Sequence, residues 1–423
     1  MKDKKIEVNE IPLEDMHGRL ISIKSNGLTV FTHGIHKYPA KFIPQIPRWA
    51  IRKYGKDSQQ IVDPFCGCGT TLVEVFLHKK KSFGLEISPL AKLITKVKTT
   101  PLDPKILKRK YREFLENFHN LKREKMLWKP PDEHLSKWFK KKTIDKLAVL
   151  RCSIENISDV DVKDFFLVIF SSIIRKVSNT EDKSQKVYIS SRFPKPYIDP
   201  FKTFFERLKE EERKMIEFSL AIKKLYGCFR PKEFLPEIIE KDALDIRLSD
   251  ECADLAITSP PYINAINYID VHKLEYMWLN LWPKEILNWT RKTQLGSSYI
   301  SSKEIKNKPR TGIQSIDEFS DLLSDISPKH SFVFSKFYDE LKQNFKEIKR
   351  ILTKGGKYVV VIGNNRMVGL EVPNNIFVKN LGESLGFNVI EEFSYVIKNR
   401  MLRIPRKGRG GDISIDHVIV FEK

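Results

Sequence analysis

Positions 63 to 71 read Asp63-Pro64-Phe65-Cys66-Gly67-Cys68-Gly69-Thr70-Thr71, or DPFCGCGTT. Ile61-Val62, just before, ends a short apolar strand, and TTLVEVFLHKK from Thr70 onward carries apolar residues at helical spacing. Ser82 to Leu85 is a second short apolar run, and it ends on an acid, Glu86. Strand, glycine-rich turn, helix and strand make a βαβ unit, which requires a parallel sheet.

The turn itself narrows the ligand. Gly67 and Gly69 can take positive φ and let a ligand approach the backbone. The helix that starts near Thr70 directs free N–H groups into the same space, which suits a carboxylate or a phosphate. Gly69 is followed by Thr70-Thr71 rather than Lys-Ser/Thr, so this is not a P-loop, and Leu72 breaks a G-x-G-x-x-G fingerprint. Asp63 at the strand end would repel a pyrophosphate but accept hydrogen bonds from an ammonium group. Glu86, ending the next strand, is placed to bind ribose hydroxyls. A ligand with an amine, a carboxylate and an adenosine satisfies all three features, and S-adenosylmethionine is such a ligand.

A second stretch, AITSPPY at 256 to 262, follows Asp254-Leu255 and reads as a buried strand that stops abruptly. Pro260 and Pro261 remove two backbone donors and fix φ near about −65°. An exocyclic amine of a base is a poor nucleophile because its lone pair is delocalised into the ring. Two hydrogen-bond acceptors can draw that nitrogen towards tetrahedral geometry. The Ser259 hydroxyl and the Pro260 carbonyl can supply them, and the Pro-Pro backbone holds them still. Tyr262 offers a flat face for a base, which would have to leave a duplex to reach it.

The chain has 423 residues, with 75 Lys+Arg against 54 Asp+Glu and a formal charge of +21, an excess that suits a polyanionic partner such as nucleic acid. Its five cysteines, Cys66, Cys68, Cys152, Cys228 and Cys252, are scattered and odd in number, which excludes a disulfide framework. No paired Cys/His cluster suggests a metal. The charged start, MKDKKIEVNE, is unlike a signal peptide, and no run approaches the ~20 apolar residues of a membrane span, so a cytoplasmic location is expected.

Three parts are expected along the chain. Residues 1–100 hold a polar lead-in with a short strand at Leu20 to Ile23, an aromatic and proline-rich surface loop from His33 to Trp49, and the cofactor half. Residues 101–236 form a basic, mainly helical insertion, broken by a polar stretch from Val177 to Pro200 that carries Lys183, Lys186, Arg192 and Lys195. Residues 237–423 resume the α/β pattern, with a basic irregular loop at 291–313. There an amphipathic helix, Phe332 to Leu352, is capped by Gly355-Gly356 and followed by the buried strand Tyr358 to Ile362. A helix at Phe377 to Leu385 and strands at Ile390 to Lys398 and Ser414 to Phe421 complete it.

These residues carry a family resemblance. DPFCGCGTT resembles the D-P-F-x-G-S-G-T-T cofactor motif of amino-methylating DNA methyltransferases, and TSPPY resembles their catalytic motif in the S-P-P-Y form typical of cytosine-N4 enzymes. HKYPAKFIPQIP, which contains Tyr38, is similar to the aromatic-proline segment that helps close the cofactor pocket in one branch. The resemblance spans residues 33–100 and about 238–421. It implies a Rossmann-like, S-adenosylmethionine-dependent methyltransferase sheet with a large helical insertion, the insertion serving target recognition. It also implies methyl transfer to cytosine N4 in double-stranded DNA, with a restriction endonuclease of the same site as partner. Tyr38, Asp63, Phe65, Gly67, Gly69, Thr70, Glu86 and Asp242 would hold the cofactor, and Ser259, Pro260, Pro261 and Tyr262 the target amine. Cys68 departs from the usual Ser. Adenine-N6 methylation, RNA base methylation and a catalytically silent nucleic-acid-binding protein are the rival readings.

Overall fold

The computed structural model describes residues 6–24, 28–56, 60–124, 126–131, 134–182, 184, 187–239, 242–263, 267–281, 284–398 and 413–423. Nine strands form one sheet. From edge to edge they are β1 (Ile6–Val8), β2 (Leu20–Ile23), β10 (Asn388–Val396), β11 (Ile415–Glu422), β7 (Leu352–Gly363), β6 (Ala253–Thr258), β3 (Gln60–Asp63), β4 (Lys81–Leu85) and β5 (Glu237–Ile239). A separate hairpin pairs β8 (Asn365–Met367) with β9 (Leu370–Val372). Neighbours in the large sheet are parallel except at β11, which runs antiparallel to both β10 and β7. The expected Rossmann-like α/β sheet is therefore the fold.

Period-two alternation assigns the two faces. Ile61, Leu255, Ile257, Val359 and Val361 reach one side, where they meet Ile46 and Trp49 of α1 (Gln45–Tyr54). Val62, Ala256, Tyr358, Val360 and Ile362 reach the other. The helices there include α14 (Pro328–Ile351) and α15 (Asn374–Ser384), which supply Phe345 and Phe377. Between β3 and β4 runs α2 (Thr70–Leu77), and α3 (Pro89–Thr99) follows β4.

Residues 101–236 fold as α4 (Pro104–Leu121), α5 (Leu135–Trp138), α6 (Lys141–Glu155), α7 (Val160–Val177) and α8 (Pro200–Tyr226). Asp103, Asp159 and Asp199 cap α4, α7 and α8 with their side chains, and Pro104 and Pro200 open two of these helices, so the local sequence sets the boundaries. This insertion does not build a core of its own. Phe114, Phe166 and Phe204 join Val73 and Phe76 of α2 and Leu90 and Ile94 of α3 in one buried cluster. After β6 come α9 (Tyr268–Val271), α10 (Lys273–Leu279), α11 (Lys284–Thr293), α12 (Ser302–Ile305) and α13 (Gln314–Ile326). No helix among the described residues is long and apolar enough to cross a membrane.

Two expectations fail here. The segment from His33 to Trp49 is not a surface loop. His33 lies in a 3-10 turn, Phe31–Gly34, and is 1% exposed, and the segment ends inside α1. The cause is polar: His33 Nε2 sits 2.9 Å from Glu74 Oε1 on α2, and Arg48 donates to both Glu74 oxygens at 2.9 Å, which draws the segment onto the sheet's helices. Gly355-Gly356 does not cap α14, which ends at Ile351 and passes directly into β7. The pair instead bends the start of that strand. Gly355 has φ +75°, its N–H donates to the Lys423 carbonyl at 3.0 Å, and the β6–β7 register shifts in the same region.

Candidate functional site

Chain order reverses at β3, which pairs with β4 on one side and β6 on the other. In such sheets the crevice beyond the carboxyl ends of the strands at the reversal is where ligands bind. Asp63 is the last residue of β3, Glu86 comes just after β4, and Ser259 just after β6. Tyr38, Asp63, Phe65, Gly67, Thr70, Glu86, Asp242, Ser259 and Pro261 line a single cleft at this point. Gly69, Pro260 and Tyr262 are not among its lining residues.

The turn has the backbone that its glycines imply. Gly67 and Gly69 have φ of +51° and +74°. A Cβ on Gly69 would lie 2.5 Å from Thr95 Cγ2, while Thr95 Oγ1 donates to the Gly67 carbonyl at 2.8 Å. Gly69 thus shapes the turn from behind, as the first cap residue of α2, whose N-terminus has no side-chain cap.

Three acids face the cleft. Asp63 is 3% exposed and burial pushes its carboxyl up to about 6, although its Oδ1 accepts from Thr258 Oγ1 at 2.8 Å and from the Phe65 N–H at 3.1 Å. Glu86 lies on the wall, partly open to the cleft. Burial pushes its carboxyl up to about 7, against the opposing bond from the Ser88 N–H at 2.7 Å. Burial also raises the carboxyl of Asp242, whose Oδ1 accepts from the Leu244 N–H at 3.1 Å. Burial makes these costly places for carboxylates, and a cationic ligand would relieve them.

At the end of β6, Pro260 is buried and Ser259 is partly open. The Tyr262 ring is half-buried, and its hydroxyl donates to Asp416 Oδ1 at 2.7 Å. Tyr395 donates to the other Asp416 oxygen at 2.8 Å. The SPPY backbone is therefore tied to β10 and β11 through one buried carboxylate. Asp416 was not singled out in the sequence, where its one signal is an acid inside an otherwise apolar strand, DHVIVFE.

Sequence reasoning missed other neighbours too. Tyr38 stacks on Tyr268 at 5.5 Å and 13°, and on His272 at 5.2 Å and 19°, so the closing aromatic wall comes from two distant segments. Lys41 also lines the cleft.

The basic stretches fare differently. Arg291 pairs with Asp270, Lys308 and Arg310 with Asp321, and Lys195 with Asp182. Lys183 and Lys186 fall outside the described residues. In contrast, Lys140, Lys141 and Lys142 stand exposed together at the start of α6, with no acid in its first turn.

A comparison with protein-family models finds no match. The chain is 28% identical to the type II methyltransferase M.MvaI of Kocuria varians, over 89% of this chain and 86% of that protein. It is 23% identical to M.BsoBI of Geobacillus stearothermophilus, also a type II methyltransferase, over 97% of this chain and 89% of the relative. Among solved structures, an S-adenosylmethionine-dependent methyltransferase from Methanosarcina mazei is 9% identical, over 92% of this chain and 98% of that one, with a TM-score of 0.32. Along most of its length, then, the chain is similar in sequence to type II methyltransferases.

Proposed function

We propose that the protein is a site-specific DNA methyltransferase that uses S-adenosylmethionine and methylates the N4 amine of a cytosine turned out of the duplex. The observation that carries this reading is the bond between Thr258 and Asp63. It fastens the end of the strand that leads into Ser259-Pro260-Pro261-Tyr262 to the acid beside the glycine-rich turn. A methyl donor and an amine acceptor would then meet at one point. The likeness to type II methyltransferases over most of the chain supports the DNA substrate. A restriction endonuclease acting on the same site is the partner this implies.

The residues fit the cofactor chemically. Asp63 would accept from its ammonium group, Glu86 would accept from ribose hydroxyls, and Asp242 would meet the adenine amine. Gly67 leaves the backbone open to close approach. When bound, the sulfonium supplies a methyl group whose bond to sulfur breaks as the bond to nitrogen forms. The Ser259 hydroxyl and Pro260 carbonyl would accept hydrogen bonds from the two amine hydrogens, and the nitrogen, cationic once methylated, would release one proton to water at the mouth of the cleft. Fixing these acceptors before reaction is the source of rate, because no reorganisation is left for the transition state.

The test is nucleoside mass spectrometry of DNA from cells with and without the protein. N4-methylcytosine is the expected product. N6-methyladenine instead would keep the cofactor site and the DNA but change the base. Methylated bases in RNA alone would remove the DNA reading.

A further inference from the structure

Two asparagine pairs stand near the end of β7: Asn364-Asn365, directly after Gly363, and Asn374-Asn375, which open α15. The fold joins them. Asn375 donates its N–H to Asn364 Oδ1 at 3.1 Å, and Asn374 Nδ2 donates to Asn365 Oδ1 at 3.2 Å. Asn365 and Asn374 are both buried. Each also reaches a backbone carbonyl. Asn365 Nδ2 donates at 2.8 Å to the carbonyl of Ile263, the residue after Tyr262. Asn374 Nδ2 donates at 2.8 Å to the carbonyl of Gly363, and its Oδ1 accepts from the Tyr338 hydroxyl on α14 at 2.6 Å.

These bonds have one consistent direction. A carbonyl can only accept, so Gly363 and Ile263 fix which way the two amides face. With its nitrogen towards Gly363, Asn374 turns its oxygen to Tyr338. With its nitrogen towards Ile263, Asn365 turns its oxygen to Asn374. A rigid chain therefore runs from α14 to the exit of the SPPY segment. Tyr262 lies on the same strand end, since a Cβ on Gly363 would come within 3.2 Å of Tyr262 Cε2. Replacing both partners of a buried hydrogen bond by apolar groups of the same shape can be nearly neutral for stability. What a fully joined polar network adds is a unique position.

We propose that Asn365 is a positioning residue for methyl transfer, holding the Ile263 carbonyl so that the backbone from Ser259 to Tyr262 meets the target amine in its reactive geometry. This rests on the methyltransferase reading above. The segment is then held at three points: at its entry by Thr258 on Asp63, at its ring by Tyr262 on Asp416, and at its exit by Asn365.

The test is single-turnover methylation of DNA from the preformed cofactor complex, with melting curves and with cofactor and DNA affinities measured beside it. Asn365→Asp keeps the size and the oxygen that faces Asn374 but sets a second oxygen against the Ile263 carbonyl. Methyl transfer should slow by about tenfold to a hundredfold, with both affinities nearly unchanged. Lower pH should restore part of the rate relative to wild type, because the introduced carboxyl, once protonated, can donate the bond again. Tyr338→Phe, at the far end of the chain, should slow transfer in the same direction by less, and it carries the test if Asn365→Asp does not fold. Phe387→Leu, in the core against Phe345 and Phe421, is the control, expected to lower the melting temperature without slowing transfer. A folded Asn365→Asp variant at the parental rate, or a rate that follows the melting temperature alike in all three variants, overturns the proposal. A wild-type protein that methylates no DNA base rejects the methyltransferase reading itself, a separate outcome.

Discussion

The Thr258 hydroxyl, at the last residue of β6, donates to Asp63 Oδ1, at the last residue of β3, at 2.8 Å. Both side chains are buried. Thr258→Val keeps the shape and removes the donor, leaving the carboxylate without one of its compensating bonds. Hydrogen bonds to charged groups contribute about 1.5–3 kcal/mol, so stability near neutral pH should fall by that order. Chemical denaturation measures it. The same variant should bind cofactor more weakly at pH 6 than at pH 8, because Asp63 would hold its proton to higher pH.

Asp63 also sets a pH dependence in the wild type. Its carboxyl titrates near 6 rather than at its ordinary 3.8, and burial is the cause. Raised in the folded state, this group stabilises the unliganded protein most below its unfolded value and loses that contribution as pH rises through 6. An ammonium group at Asp63 would lower the value again. Binding at pH 6 should therefore release protons, and affinity should rise with pH through that range before levelling off. Calorimetry of S-adenosylhomocysteine binding, in buffers of different ionisation enthalpy, reads the release directly. No release at pH 6 would place the ammonium elsewhere.

The glycine-rich turn offers a test of shape without charge. Gly69→Ala must place a Cβ 2.5 Å from Thr95 Cγ2 at a φ of +74°. Strain of this kind costs about 1–3 kcal/mol. The melting temperature should fall and cofactor affinity with it, since Thr95 also holds the Gly67 carbonyl.

How far the sequence reveals this site depends on whether the signal is local. The βαβ unit was legible because strand, turn and helix are contiguous and each obeys its own period. Asp63, Glu86, Asp242 and Ser259 meet in one cleft because each ends or follows a strand, and strand ends of a parallel sheet share one edge. Tyr268, His272 and Asp416 were not legible. Their partners, Tyr38 and Tyr262, lie far away in sequence, and no spacing rule connects them. The His33 segment was misread because its aromatics and prolines suggest an exposed loop, whereas Glu74, a lone acid inside an apolar helix, pairs with His33 and Arg48 and draws the segment in. Gly355-Gly356 was misread because a helix stop and a strand bend need the same residue.

The exposed lysines at the start of α6 have a test whose two outcomes carry opposite signs. Lys140, Lys141 and Lys142 open α6 with no acid in its first turn. Cations at a helix N-terminus cost about 0.3–1 kcal/mol each at low salt. Replacing all three by alanine should therefore raise the melting temperature. If they contact phosphates, the slope of log affinity for non-cognate DNA against log salt should become shallower by about 3. A more stable protein with an unchanged slope would make them a solvated face only.

Ser259-Pro260-Pro261-Tyr262 can be taken apart stepwise, and the structure says in what order. Tyr262→Phe removes the bond to Asp416 and the hydroxyl's hydrogen bond with Ser259, and leaves the ring. It should loosen the SPPY backbone, slow methyl transfer modestly and leave cofactor affinity unchanged. Tyr262→Ala removes the ring as well, and stacking of a base on an aromatic contributes about 1–3 kcal/mol, so use of the extruded base should fall much further. Ser259→Ala deletes one of the two proposed acceptors for the target amine, which would then keep more of its planar, conjugated character. Pro260→Ala keeps the carbonyl and frees its φ, so it should slow transfer more than it weakens DNA binding. Single-turnover methylation from the preformed cofactor complex separates these effects. Parental rates in all four variants would reduce the motif to a rigid turn, and the chemistry would have to lie with other residues of the cleft.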